Sequence, residues 1–125
     1  MNLLRSIRAA TLAGLIMSAG AEAAVYTVGT DFQCTHSTIQ AALDAAVDNP
    51  GRDTIRIANN QTYTAQALTK RQGSNAGGSR LEVIGGFSDC SDLSPSGNTV
   101  ISGQGGVEAS VLTIEYGENV LRNLT

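Results

Sequence analysis

The chain has 125 residues, with eight Lys and Arg against eleven Asp and Glu, a formal net charge of −3 and two cysteines. A length of this order holds one small domain, and an acidic balance with no basic cluster argues against a nucleic-acid partner, since nothing here can neutralise a run of phosphates. Aromatic residues make up 4% and tryptophan is absent, so a core has to be built from Ile, Val, Leu and Ala.

The first element is a targeting segment. Arg5 and Arg8 make the start positive, and Ala9 to Met17 (AATLAGLIM) follow as an apolar stretch too short to stay in a bilayer. Ala21-Glu22-Ala23 then supplies the small-x-small pattern that a signal peptidase reads. The pattern predicts a secretory signal over residues 1–23, cleavage between Ala23 and Ala24, and a mature chain that is secreted, periplasmic or at the cell surface. A buried amphipathic helix is the competing reading, and Gly14, Gly20 and the small residues before Ala24 speak against it. Loss of Arg5, Arg8 and Glu22 leaves six basic and ten acidic residues. No second long apolar run follows, so no membrane span is expected after cleavage.

In the mature chain, Val25 to Gly29 (VYTVG) alternates like a short strand, and Asp31 to His36 is polar and turn-like. The period then changes. Ile39, Ala42, Leu43, Ala46 and Val47 share one helical face, with Ser37 placed as N-cap and Gln40 completing a capping-box pattern. Gln40, Asp44 and Asp48 are expected to face water. Asn49-Pro50-Gly51 ends the helix. Beyond it the chain reads as short strands between turns: Asp53–Ala58, a weaker segment over Gln61–Leu68, Leu81–Ile84, Thr99–Ser102, Val111–Tyr116 and Val120–Thr125. Gln72 to Ser79 is expected to be a flexible loop and Gly103 to Gly106 a turn; Lys70-Arg71 reads as a solvated turn.

Cys34 and Cys90 both follow the cleavage site, and two thiols in an oxidising compartment pair. Such a bridge would stabilise by about 4 kcal/mol on the chain-entropy account. A metal held by Cys34, His36 and Cys90 is the alternative, and it lacks a fourth ligand. Asp89 and Asp92 beside Cys90 suggest either a calcium site or a solvated loop; calcium wants six to eight oxygens. Glu115 and Glu118 are expected at the surface. His36 next to Ser37 invites a Ser-His-Asp reading, but no G-x-S-x-G elbow is present, and a structural histidine is the simpler account. No cofactor motif is found: the Gly103–Gly106 run has neither phosphate-loop nor dinucleotide spacing. Asn60-Gln61-Thr62 and Asn123-Leu124-Thr125 match a glycosylation acceptor.

An antiparallel sandwich would need tight hairpins, and Asn-Gly and Asp-Gly are absent. A stack of parallel strands, each ended by a glycine or asparagine turn, fits the uneven Gly-rich connections better. VYTVG, then Cys34, STIQAAL (37–43) and DTIRI (53–57) resemble the entry segment of bacterial right-handed parallel β-helix proteins of the pectin lyase-like superfamily, and NTVISGQGG (98–106), VLTIEY and VLRNLT look like early coils. The resemblance implies a mainly β fold in which the helix, through Ile39, Ala42, Leu43, Ala46 and Val47, lies across the N-terminal end of a coil. It implies two function classes: a non-catalytic capping or structural portion used in surface display, adhesion or contact with an extracellular polysaccharide, or part of a polysaccharide lyase or hydrolase whose site lies beyond residue 125. No carboxylate cluster with a basic partner is recognisable here. Because the chain stops at Thr125 within an expected strand, the reading is an N-terminal piece of a longer gene product or a truncated reading frame, with Val120, Leu121 or Leu124 at an open end that favours self-association.

Overall fold

A computed structural model of the chain describes residues 22–71, 80–103, 110–115 and 117–125. The expected signal segment up to residue 21, the loop at 72–79 and the 104–106 part of the glycine turn lie outside the described residues. The elements in order are β1 (Val25–Val28), α1 (Ile39–Asp48), β2 (Arg52–Ala58), β3 (Tyr63–Gln66), β4 (Leu68–Lys70), β5 (Arg80–Phe87), β6 (Ile101–Gly103), β7 (Leu112–Ile114) and β8 (Glu118–Arg122). The fold is mainly β. No helix among the described residues is long and apolar enough to cross a membrane.

Every strand pair among the described residues is parallel. One sheet has the order β1-β2-β5-β8, and two further pairs, β3-β6 and β4-β7, form separate small sheets. The register of the large sheet runs straight across it, with Val25 beside Thr54, Thr54 beside Glu82 and Glu82 beside Val120. Alternation does the sorting. Along β2, Asp53, Ile55 and Ile57 point inward and are buried, while Thr54 and Arg56 face outward. Leu81 and Val83 do the same on β5. Ile55, Ile57, Leu81 and Val83 meet Val28, Tyr63 and Leu68 in one core cluster.

The helix packs against β1, β2 and β4. Ile39, Ala42, Leu43 and Ala46 are buried in that cluster, as the spacing predicts, whereas Val47 is half-buried: it lies at the margin of the apolar stripe, one residue before the helix end. The N-cap is Thr38, not Ser37; its hydroxyl accepts from Ala41 N at 3.2 Å. The capping-box partner of Ser37 is therefore free for other work. The weak segment after Gln61 splits into β3 and β4, and Lys70, expected in a solvated turn, is the last residue of β4 with 6% exposure.

One irregularity shapes the interior. Between Arg56 and Ala58 of β2 the register with β5 slips, so that Ala58 faces Phe87 while Arg56 faces Ile84. Gly86 absorbs the extra residue with φ of 86°, a left-handed conformation that glycine adopts without strain, and a Cβ there would fall on the Gly97 carbonyl. Thr99, fully buried, fills the break: its hydroxyl accepts from Gly86 N at 2.8 Å and donates to Ile57 O at 3.0 Å. Near β8 the packing thins. Leu121 is 48% exposed although its register partner Val83 is 2% exposed, and Val120 and Leu124 are half-buried.

Leu43 is 1% exposed at the helix–sheet contact. Leu43→Ala is expected to cost about 2–5 kcal/mol, and Leu43→Asp more, because it buries a carboxylate without a partner. Denaturant unfolding reads both; neutral substitutions would show that the helix does not bear on the core.

Candidate functional site

The distinctive chemistry of this chain lies at one rim of the sheets, where strands have a neighbour on one side only. β1 is an edge of the large sheet and β4 pairs with β7 alone. An uncovered edge strand offers alternate N–H and C=O groups to any other chain. Here those groups are occupied by side chains and by a short returning segment.

On β1 the occupant is the segment from Cys34 to His36. Thr35 and Thr27 exchange bonds in both directions: Thr27 N donates to Thr35 Oγ1 at 2.8 Å, and Thr35 N donates to Thr27 Oγ1 at 3.0 Å. His36 N donates to Thr27 O at 2.9 Å and Gly29 N donates to His36 O at 3.2 Å, giving a parallel bridge between Val28 and His36. The Thr35 hydroxyl lies 3.1 Å from Thr27 O and 2.9 Å from His36 Nδ1, and its single proton serves one of them at a time. The imidazole also stands edge-on to Tyr26, ring centres 5.5 Å apart. His36 thus belongs to the strap, and no serine or carboxylate is among its hydrogen-bond partners in the described residues.

The strap is held covalently. Cys34 and Cys90 form a disulfide with their Cα atoms 5.2 Å apart, well inside the range such a bond spans, so the thiols are not metal ligands. Gly29 makes room for it: a Cβ at that position would lie 2.8 Å from Cys34 Sγ and 3.2 Å from Cys90 Sγ. Beneath it, the Tyr63 hydroxyl is within reach of Val28 O and Ala58 O at 3.3 and 3.1 Å. Burial is the main cause that pushes this phenol above its ordinary value, which keeps it protonated and donating.

On β4 the occupant is Gln40. Its carboxamide donates to Thr69 O at 2.9 Å and accepts from Thr69 N at 2.9 Å. A side-chain amide stands where the peptide group of a neighbouring strand would be. The sequence places Gln40 toward water, and it is instead half-buried between α1 and β4, with its amide also donating to Asp44 Oδ1 at 2.9 Å. Thr35 and Gln40 were both invisible to local pattern reading, because their partners lie 8 and 29 residues away. For Gln40 the one usable signal is its place beside the buried face, next to Ile39.

The remaining polar candidates do not assemble. Asp89 Oδ1 accepts from Ser91 N, Ser91 Oγ and Asp92 N, and Asp92 Oδ2 accepts from Ser88 N. The Ser91 bonds are the first cause holding Asp89 below the ordinary carboxylate range. The two carboxylates thus tie their own turn together, and no group of three His, Cys, Asp or Glu able to hold a metal occurs among the described residues. Glu115 and Glu118 are exposed, Glu118 lying 3.6 Å from Arg80, while Glu82 meets Arg122 at 3.0 Å. Such surface pairs contribute about 0.2–1 kcal/mol. Lys70 Nζ donates to Asn119 Oδ1 at 3.0 Å, and burial pulls its pKa down.

No family model, curated protein or solved structure matches this chain.

Gln40→Ala removes both bonds to Thr69. The loss is expected to be about 1–3 kcal/mol, the cost of stranding partly buried backbone groups. Hydrogen exchange offers a local reading, since the Thr69 amide should lose protection while amides of β5 keep theirs.

Proposed function

We propose that this chain is the N-terminal cap and first coils of an exported parallel β-helix, a non-catalytic structural portion that starts the stack and closes its first edge. The observation that carries this reading is the double occupation of the rim, Thr27 by the Thr35–His36 strap and Thr69 by Gln40. Three parallel pairings support it. Register partners such as Arg52 and Arg80, or Arg80 and Glu118, recur after roughly 30 to 40 residues, a length typical of stacked repeats. The helix meets β4 as well as β1 and β2, so it reaches more than one sheet, as a plug across the end of a coil would. The disulfide accords with the exported location that Arg5 to Ala23 suggests.

A second reading, contact with an acidic extracellular polysaccharide, is favoured by the placement of Arg52, Arg56, Arg80 and Arg122. Four of the six basic residues after Ala23 stand at outward register positions of β2, β5 and β8. Glu82 and Glu118 offset two of them, which leaves a modest positive surplus on an otherwise acidic chain.

The capping reading is tested by opening the rim. Exported protein carrying Thr35→Ala together with Gln40→Ala should associate further than the parent in size-exclusion chromatography, because two strand edges become available. A double variant that keeps its fold by circular dichroism and elutes with the parent would defeat the proposal.

A further inference from the structure

Asp53 is a carboxylate in the wrong place for one. It sits on the inward side of β2, in line with Ile55 and Ile57, and is 3% exposed. Its partners are neutral: Oδ1 accepts from Asn49 Nδ2 at 2.7 Å and from the backbone nitrogen of Ala24 at 2.9 Å. Arg52 and Arg80 line the same depression of about 170 Å³ together with Asp53, Thr54 and Glu82. Yet neither ion pair among the described residues includes Asp53. A buried carboxylate without a counter-charge is costly.

The nitrogen that meets it belongs to the residue that would become the N-terminus. We propose that removal of the signal segment between Ala23 and Ala24 converts this contact into an ion pair, placing a free α-ammonium group on the buried carboxylate of Asp53. The inference rests on the export reading above. The step is hydrolysis of the Ala23–Ala24 peptide bond: water supplies the carboxyl oxygen of Ala23, and the amine of Ala24 takes up protons to become an ammonium.

The geometry favours retention of the contact after the cut. Thr54 N donates to Ala24 O at 2.9 Å, and Val25 is in register with Thr54, so Ala24 is held from the side that cleavage leaves intact. On the other side the cut removes one neutral bond, from Asn49 Nδ2 to Glu22 O at 2.9 Å. In exchange a charged donor replaces a neutral one, and charge-assisted bonds are roughly twice as strong. The desolvation of Asp53 is incurred in both forms, so the new pair escapes much of the penalty that usually cancels buried ion pairs. The corner is otherwise negative: burial, then Asp53 and Asp48, raise the pKa of the neighbouring Tyr26 phenol, which stays neutral. Processing would thus tighten the junction of β1, β2 and the end of α1, and the uncut precursor would be the looser molecule.

A cycle of four exported proteins tests this: the parent, Asp53→Asn, an insertion of Gly-Ser between Ala23 and Ala24, and the two changes combined. N-terminal sequencing should find the parent starting at Ala24 and the insertion at the added glycine. The insertion alone should lower Tm by an amount on the order of 5 °C, and Asp53→Asn should cost more in the parent than in the inserted form. An N-terminus elsewhere in the parent sinks the inference along with the cleavage site it rests on. A start at Ala24 with no Tm difference between parent and insertion, or with Asp53→Asn equally costly in both, overturns the ion pair alone. If Asp53→Asn fails to accumulate, the parent-to-insertion comparison still decides.

Discussion

A parallel sheet cannot finish itself. Each strand satisfies half its backbone groups through one neighbour and leaves the other half facing outward, so the first strand of any parallel stack carries the cost of stranded donors and acceptors or recruits another chain. Much of the rim of this protein answers that constraint. Thr27 and Thr69 are two edge residues whose N–H and C=O have no strand on the outer side, and each is matched by a donor and an acceptor supplied from elsewhere, by Thr35 with His36 in one case and by the Gln40 carboxamide in the other. The disulfide, the glycine beneath it and the helix are consequences, because each fixes one of those substitutes in place.

The helix shows how one element serves two ends. Its apolar stripe buries Ile39, Ala42, Leu43 and Ala46, which closes the core from below. Its polar border carries Gln40, which closes the edge of β4. The two tasks are coupled by geometry, since Gln40 follows Ile39 directly and can reach Thr69 only while Ile39 is seated. Its last turn adds a third contact through Asn49, the C-cap residue, whose side chain donates to Asp53 at 2.7 Å. Helix position is therefore set by apolar burial and by polar bonds at both ends, which fixes its axial placement more closely than a greasy stripe could.

What was legible in the sequence follows the range of the interactions. Periodicity reveals the helix and the strand β2, because those patterns are local and repeat over several residues. Compartment logic suggested the Cys34–Cys90 pair, which the structure contains. Turn chemistry favours a parallel arrangement over a sandwich, and the described pairings are parallel. The N-cap slipped by one residue because Ser37 and Thr38 are both good caps and only the bond from Ala41 N distinguishes them. By its position Gln40 reads as a solvent-facing residue and a box partner, and nothing within ten residues reports that Thr69 needs it. A basic pair looks solvated and so reads as a turn, whereas Lys70 is buried at the end of β4 and donates to Asn119 in β8. The roles missed were those in which a polar side chain completes a backbone pattern made by distant residues.

Thr99 brings the same logic into the interior. The slip between β2 and β5 interrupts the ladder where Gly86 turns left-handed, and it leaves an N–H on one strand and a C=O on the other without their regular partners. A hydroxyl of one residue serves both, accepting from Gly86 and donating to Ile57, and it can do so because Thr99 is itself anchored by a bridge to Leu124 and by a bond from Thr99 N to Asn123 O. An apolar residue of equal size would fill the space and strand two buried groups. Core and rim are thus finished by one device, a short polar side chain standing in for a missing stretch of backbone. Threonine suits it in both places, since its methyl group packs with Ile and Val while its hydroxyl can donate and accept at once.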